Sequence, residues 1–274
     1  MLSVIIPASN EAALIGRCLA ALFSGAPPAG GGEAVVVANG CRDDTTARAQ
    51  AMAAVAQAAG WGFQVLDLLQ GSKPLALNAG DAEAVGDLRA YLDADVVVSA
   101  DLMRQLVVAL APERPRYATG TARIPRPASP VTRAYARFWR RLPFAAQTVA
   151  PGYGLFAVNA AGRARWGAFP LIISDDTYVR LHFTEAERVQ VAAAYDWPMI
   201  EGFAPLVRVR RRQDAGVVEV DRLYPGLRSR EAKPTLAPWS LLGLALRDPL
   251  GFATYAAVSG AVRLRKGHGW TRGR

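Results

Sequence analysis

The sequence predicts an α/β domain, with a mostly parallel central sheet flanked by helices and a basic, helical extension at the C-terminal end. Three observations predict it. Short apolar runs alternate with helix-periodic segments through the first half of the chain. One of those runs ends in paired carboxylates, Tyr91-Leu92-Asp93-Ala94-Asp95, where an open α/β sheet would present its ligand-binding edge. Positive charge also collects at one end: residues 1–202 hold 18 Lys/Arg against 18 Asp/Glu, and residues 203–274 hold 14 against 5. At 274 residues and 51% hydrophobic, the chain can bury a sizeable core.

The elements follow in order. Ser3 to Pro7 is apolar and reads as a buried first strand, not as a signal peptide, because it lacks a basic leader and a cleavage site. Glu11 to Phe23 reads as a helix with Asn10 as N-cap and Leu14, Ile15, Cys18, Leu19 and Leu22 on one face. The Pro- and Gly-rich residues 27–32 form a loop before a second strand, Ala34 to Ala38. An Ala-rich helix over 44–59, a strand over 63–69, a helix over 74–85 and a strand over 90–93 complete the alternation. Strands separated by helices imply right-handed crossovers and a parallel sheet. The second half is less regular. It contains a basic, aromatic helix over 132–141, a strand-like segment over 152–158 and a helix starting at Ser174.

Five motifs carry groups suited to chemistry. In Val4-Ile5-Ile6-Pro7-Ala8-Ser9-Asn10-Glu11, Pro7 ends the strand and Glu11 opens the helix, where a carboxylate either accepts from a ribose or base or compensates the helix dipole. In Asn39-Gly40-Cys41-Arg42-Asp43-Asp44-Thr45, Asn39 offers the donor and acceptor of a base-reading amide, and Asp43 or Asp44 suits an N-cap. In Gly71-Ser72-Lys73-Pro74-Leu75-Ala76-Leu77-Asn78-Ala79-Gly80, Lys73 stands at a helix start, where its charge and the amide donors suit a phosphate or a nucleobase oxygen. Asp93 and Asp95 offer the oxygen ligands that hard divalent cations take. In Ile173-Ser174-Asp175-Asp176-Thr177, adjacent carboxylates at a helix start suit a general base or an N-cap pair.

In this order and spacing, the motifs resemble the family-2 glycosyltransferases over about residues 2–212. The resemblance implies a single Rossmann-like domain of the glycosyltransferase A type, with a catalytic unit over 1–225 and an extension over 226–274. It implies an inverting enzyme that moves a sugar from a nucleotide-diphosphate donor to a carbohydrate or lipid-linked acceptor hydroxyl. By the same resemblance Pro7, Ser9, Glu11, Asn39 and Lys73 line the nucleotide, and Asp93 meets ribose or metal. Asp95 holds Mn²⁺ or Mg²⁺, and Asp176, beside Asp175, is the base. The chain departs from the family pattern at Ser9, at Asn39 where Asp is usual, at the inserted Ser72, and at residues 208–213. There Arg208-Val209-Arg210-Arg211-Arg212-Gln213 replaces a QxxRW signature. Arg211 stands for the arginine that would neutralise the leaving diphosphate, the alternative being a charged strand face.

Composition bounds the partners and the setting. Cys18 and Cys41 make no disulfide framework and read as reduced thiols of a cytosolic protein. No stretch reaches the roughly 18 uncharged apolar residues of a membrane span. Two histidines, His182 and His268, argue against a His-based triad or zinc site. The apolar segments 239–246 and 250–262 are flanked by Arg228, Arg230, Lys233, Arg263, Arg265 and Lys266. They suit either peripheral docking on the anionic inner face of a membrane or packing on the catalytic unit. Nucleic acid is not an expected partner. The competing class is a degenerate transferase that acts as a scaffold through its basic tail, and the intact Asp93, Asp95, Asp175 and Asp176 argue against it.

Overall fold

The computed structural model describes residues 1–230 and 238–264, so Lys233, Arg265, Lys266 and His268 lie outside the described residues. The strands are β1 (Leu2–Ala8), β2 (Gly32–Asn39), β3 (Gly62–Leu68), β4 (Leu88–Leu92), β5 (Val97–Val98), β6 (Tyr117–Arg123), β7 (Leu155–Val158) and β8 (Arg188–Asp196). The helices are α1 (Ile15–Phe23), α2 (Thr45–Gln50), α3 (Ala53–Ala58), α4 (Lys73–Glu83), α5 (Leu102–Leu110) and α6 (Pro130–Trp139). They continue with α7 (Pro143–Gln147), α8 (Ala160–Arg163), α9 (Asp175–Arg180), α10 (Phe203–Leu223), α11 (Pro238–Arg247) and α12 (Pro249–Leu264).

The strands form one sheet in the order β3-β2-β1-β4-β7-β6-β8-β5. β1 pairs in parallel with β2 and β4, β2 with β3, and β6 with β8. β7 runs antiparallel between β4 and β6, and β5 runs antiparallel to β8. All of β1 is buried, as a central parallel strand covered on both faces must be. Its side chains alternate between two cores. Val4 and Ile6 pack with α1 and α5, while Ile5 packs with Leu77 of α4 and with Tyr91, Tyr117 and Phe156. α4 can lie close to β1 because Gly80 faces it; a Cβ there would sit 2.5 Å from Ile5 Cγ2. A third core joins Tyr135, Phe138 and Trp139 of α6 to Leu206 of α10 and Val258 of α12.

Several boundaries differ from expectation for local reasons. The first helix starts at Ile15, not Glu11, and Asn10 is no N-cap. Asn10 adopts φ 58°, and the Glu11 amide donates to Thr45 Oγ1 at 2.8 Å. The helix expected over 44–59 breaks at Ala51-Met52, where the Met52 amide donates to Ala49 O in a tightened turn. The arginine run at 208–212 belongs to the 21-residue helix α10 and is no strand face. β6, β8 and α5 were not legible from sequence patterning. The gap between the apolar segments 239–246 and 250–262 is the corner between α11 and α12.

Candidate active site

The C-terminal ends of β1, β2 and β4 open on one side of the sheet, and the loops there are laced together by side chains. Asn10 Oδ1 accepts from the Arg42 amide at 2.8 Å, and Asp43 Oδ2 accepts from the Ala12 amide at 3.2 Å. Asp43 also accepts from the amide and hydroxyl of Thr45. Burial alone would raise the Asp43 pKa, but these hydrogen bonds outweigh it and hold the carboxyl below its usual range. Asp43, not Asp44, is therefore the bonding acid of the turn before α2. Gly40 has φ 55°, and a Cβ there would lie 2.6 Å from the Gly71 backbone, so the loop after β3 can close over this turn only on a glycine.

That closure decides the role of Asn39. The residue is buried; its amide nitrogen donates to Ala8 O at 3.0 Å and Val37 O at 3.3 Å, and its Oδ1 accepts from the Ser72 amide at 3.0 Å. In this structure its polar atoms fasten β1, β2 and the start of α4. Ser72, the residue inserted relative to the family pattern, is the N-cap of α4, and its Oγ accepts from the Leu75 amide. The cap sets Lys73 at the first position of the helix.

Lys73 is the electrostatic centre of the site. Its Nζ lies 2.8 Å from Asp93 Oδ1, just past the end of β4, and 3.2 Å from Asp175 Oδ2, at the start of α9. Burial opposes the lysine charge, but Asp175 and Asp93 overcome that and hold the ammonium above the usual lysine range. Asp175 is buried, with its side chain 5% exposed. Burial raises its pKa, Lys73 opposes the rise, and the neighbouring Asp176 and Asp93 add to it. Asp176 is half-buried beside it, and its Oδ1 accepts from the Thr177 amide at 2.6 Å.

Pro7, Lys73, Asp93, Asp175 and Asp176 line a single pocket together with Gly152, Gly154, Tyr91 and Phe156. The motif expectations thus converge on one place for these five residues. Ser9 and Glu11 follow β1 at the same edge, and the Ser9 hydroxyl is buried without a hydrogen-bond partner. Cys18 lies under the strand end, with its Sγ 3.8 Å from Asp93 O. Burial, then Asp95, Asp93 and Glu11, push its thiol far up, so it is an inert packing residue. Asp95 sits two residues past Asp93 and is half-buried. Arg211 is not among the residues that line this pocket; its guanidinium donates to Ala261 O of α12 at 3.0 Å. His182 lies between Trp166 and Tyr178, its Nδ1 2.9 Å from Tyr178 O, away from the carboxylates.

Sequence reasoning missed the two glycines. Gly152 and Gly154 have φ 76° and 66°, and the Gly154 carbonyl accepts from the Asp93 amide at 2.8 Å. They bring the backbone before β7 against the acidic strand end without side chains that would fill the pocket. The Gly-x-Gly spacing in Pro151-Gly152-Tyr153-Gly154 was the available signal. Asn78 is another missed support: it donates to Phe169 O at 3.0 Å and accepts from the Phe169 amide at 2.6 Å, tying α4 to the segment before α9.

A mostly parallel sheet with acids at its strand ends, an antiparallel insertion at β7 and helices on both faces defines a glycosyltransferase A-type domain. The family model for glycosyl transferase family 2 matches residues 3–164, and the chain belongs to that family of glycosyltransferase enzymes. A search of curated proteins finds no match. Among solved structures the chain is similar to the mannosyltransferase PcManGT from Pyrobaculum calidifontis, in complex with GDP-Man and Mn²⁺. The TM-score is 0.64 at 20% identity, covering 97% of this chain and 76% of that one. It is also similar to glucosyl-3-phosphoglycerate synthase from M. tuberculosis, with a TM-score of 0.55 at 18% identity, covering 86% and 82%. S. aureus TarS 1–349 in complex with UDP-GlcNAc gives 0.56 at 15%, covering 95% and 81%. At these identities the likeness is one of fold.

Proposed function

We propose that the chain transfers a sugar from a nucleotide-diphosphate donor to an acceptor hydroxyl, with inversion at the anomeric carbon. The observation that carries this reading is the convergence of Lys73, Asp93, Asp175 and Asp176 on one pocket at the strand ends. Asp176 is the base: it is half-buried and pocket-lining, so it can meet an acceptor hydroxyl, whereas Asp175 is buried and engaged with Lys73. The acceptor oxygen bonds to the anomeric carbon as its proton passes to the Asp176 carboxylate. The bond from that carbon to the phosphate oxygen breaks, and its electron pair leaves with the nucleoside diphosphate. A single displacement of this kind inverts configuration. Asp175 and Lys73 are positioning residues that hold α9 and the end of β4 in register.

The donor set fits Mn²⁺ or Mg²⁺. Among the described residues no group of three His, Cys, Asp or Glu could cage a metal. A hard cation bound to substrate phosphates needs only one or two carboxylates. Asp95, with the Asp93 carboxylate that Lys73 shares, supplies them, and the ion would lend charge neutralisation to the leaving diphosphate. Residues 1–225 form the catalytic unit in this reading, residues 226–274 its accessory extension, and the acceptor is a carbohydrate or a lipid-linked sugar of envelope or glycolipid synthesis. The structures of the M. tuberculosis and P. calidifontis enzymes, complexed with UDP and Mg²⁺ or with GDP-Man and Mn²⁺, support the donor and metal classes by analogy of fold.

The test is thermal stabilisation by UDP, GDP, CDP and dTDP, each with and without Mn²⁺, on wild type, Asp95→Ala and Asp176→Asn. A ligand that binds only the folded state raises the melting temperature. We expect one nucleotide to do so in a Mn²⁺-dependent way, with the shift lost in Asp95→Ala and kept in Asp176→Asn. Sugar transfer by Asp176→Asn should fall by about 10²–10⁴-fold. No shift with any nucleotide would overturn the reading in favour of a scaffold protein.

A further inference from the structure

We infer that the outer face of α11 and its corner with α12 form a docking surface for an anionic bilayer. α11 is apolar on both faces. Leu241 and Leu244 pack into the core of α6, α10 and α12. On the other face Trp239, Leu242 and Leu246 are 82%, 50% and 75% exposed, and Leu250, just past the corner, is 66% exposed. Spacings of three and four residues put Trp239, Leu242 and Leu246 in one stripe. A helix apolar all round is normally covered all round, and the stripe has no cover from the described residues.

The charge around the stripe names the partner. Three arginines meet at the corner: Arg137 and Arg141 pair with Asp248, and Arg247 precedes it in the chain, while Arg140 lies between the first two in sequence. The acid at the corner, Asp248, is buried and already held by Arg137 at 2.6 Å and Arg141 at 3.4 Å. Arg137, followed by burial and then Gly251 and Arg141, leaves the Asp248 carboxyl below its usual range, so it stays an anion and the corner stays net positive. Arg140 and Arg247 are exposed, and Arg247 directly follows Leu246 of the apolar stripe. Leucines and a tryptophan rimmed by arginines match the interface of a bilayer with acidic headgroups. No described helix is long and apolar enough to cross a membrane, so the contact is a peripheral one.

The surface is also connected to the pocket through α6. Trp139 of α6 packs against Tyr153 at 5.5 Å between ring centres, and Tyr153 sits between the pocket-lining Gly152 and Gly154. α6 therefore joins the docking corner to the pocket mouth, which suits a lipid-linked acceptor delivered from the bilayer. That last step rests on the transferase reading; the docking itself does not.

The experiment is co-sedimentation of the full chain with phosphatidylcholine vesicles, with and without phosphatidylglycerol, at about 0.15 M salt and without donor. Binding should require the anionic lipid. Arg140→Gln/Arg247→Gln should weaken it about twenty-five-fold, at roughly fivefold per arginine. Leu242→Ser/Leu246→Ser/Leu250→Ser should weaken it by more than about tenfold, with an unchanged thermal melt showing that the variant is folded. Brominated lipid should quench wild-type tryptophan fluorescence but not the same component in Trp239→Phe, which still binds. Absence of binding to either vesicle overturns the inference, as does a serine variant that binds like wild type. A wild-type dimer that the serine variant dissolves would overturn it too, by giving the stripe to a second copy. None of these readouts depends on nucleotide binding, so they separate failure of docking from failure of the transferase reading.

Discussion

Replacing Lys73 with methionine tests the electrostatic centre directly. Lys73 lies 2.8 Å from Asp93 and 3.2 Å from Asp175, whose side chain is only 5% exposed. Removing one partner of a buried pair costs about 3–5 kcal/mol, because the remaining charge stays desolvated. The Lys73 side chain is 34% exposed, so water relieves part of that, and about 2–3 kcal/mol is expected near neutral pH. The loss should depend on pH in a defined direction. Burial already holds the Asp175 pKa above its ordinary value while Lys73 pulls it down, so without Lys73 it rises further. A carboxyl with a raised native pKa holds a proton in the folded state that the unfolded state releases, so its contribution to stability falls as pH rises through that interval. Urea unfolding at about pH 5 and about pH 8 should therefore show a smaller deficit for Lys73→Met at the lower pH. Lys73→Met/Asp175→Asn, which removes the stranded charge, should regain most of the loss at the higher pH. An equal deficit at both pH values, or a double variant no more stable than Lys73→Met, would refute the reasoning.

Two further substitutions probe the frame around the pocket. Gly154→Ala places a Cβ 2.8 Å from Val96 Cγ2 and 2.9 Å from Trp197 Cδ1 at φ 66°; strain and overpacking together should cost about 2–4 kcal/mol in urea unfolding, and a neutral effect would show the turn is not needed. Glu187→Gln removes a carboxylate whose pKa is lowered from 4.5 to about 2, chiefly by its pairing with Arg165 and further by Thr184. Because the native pKa is depressed, the stability gap between wild type and Glu187→Gln should be full above pH 4.5, about 1–2 kcal/mol, and should close as pH falls toward 2; a gap constant through that window would sink the assignment.

The parts of the fold that were legible are those where one local rule dominates. β1 is apolar at almost every position because both of its faces are covered, and its run reads as a buried strand without any tertiary knowledge. The corner after α11 was legible because Pro249 cannot continue a helix. β8 was not. Its centre, Val191-Ala192-Ala193-Ala194, has a helix former's composition, and only pairing with β6 and β5 makes it a strand. The start of α1 was misjudged because Asn10 has a good N-cap side chain, yet its Oδ1 is claimed by the Arg42 amide from a different loop. The internal bonds of Asn39 and Arg211 were hidden for the same reason. An amide or a guanidinium advertises its hydrogen bonds equally to ligand and to protein, and here Ser72 bonds the first and Ala261 accepts from the second.

The acids of the site were legible as motifs, but their relation to one another was not. Asp93 and Asp175 come from distant segments, and nothing in either segment says that one lysine will serve both. Their charge balance bears on the chemistry. Among the described residues that line the pocket, Lys73 is the one cation, and it faces Asp93, Asp175 and Asp176, with Asp95 two residues beyond. A diphosphate approaching that set meets more negative charge than positive, and like charges at such separations repel by several kcal/mol in a partly buried site. In the proposed reading a divalent cation held by Asp93 and Asp95 would offset that repulsion for a nucleotide-diphosphate donor. The charge balance of the pocket thus supports, beside the Asp-x-Asp spacing, the divalent cation proposed for this site.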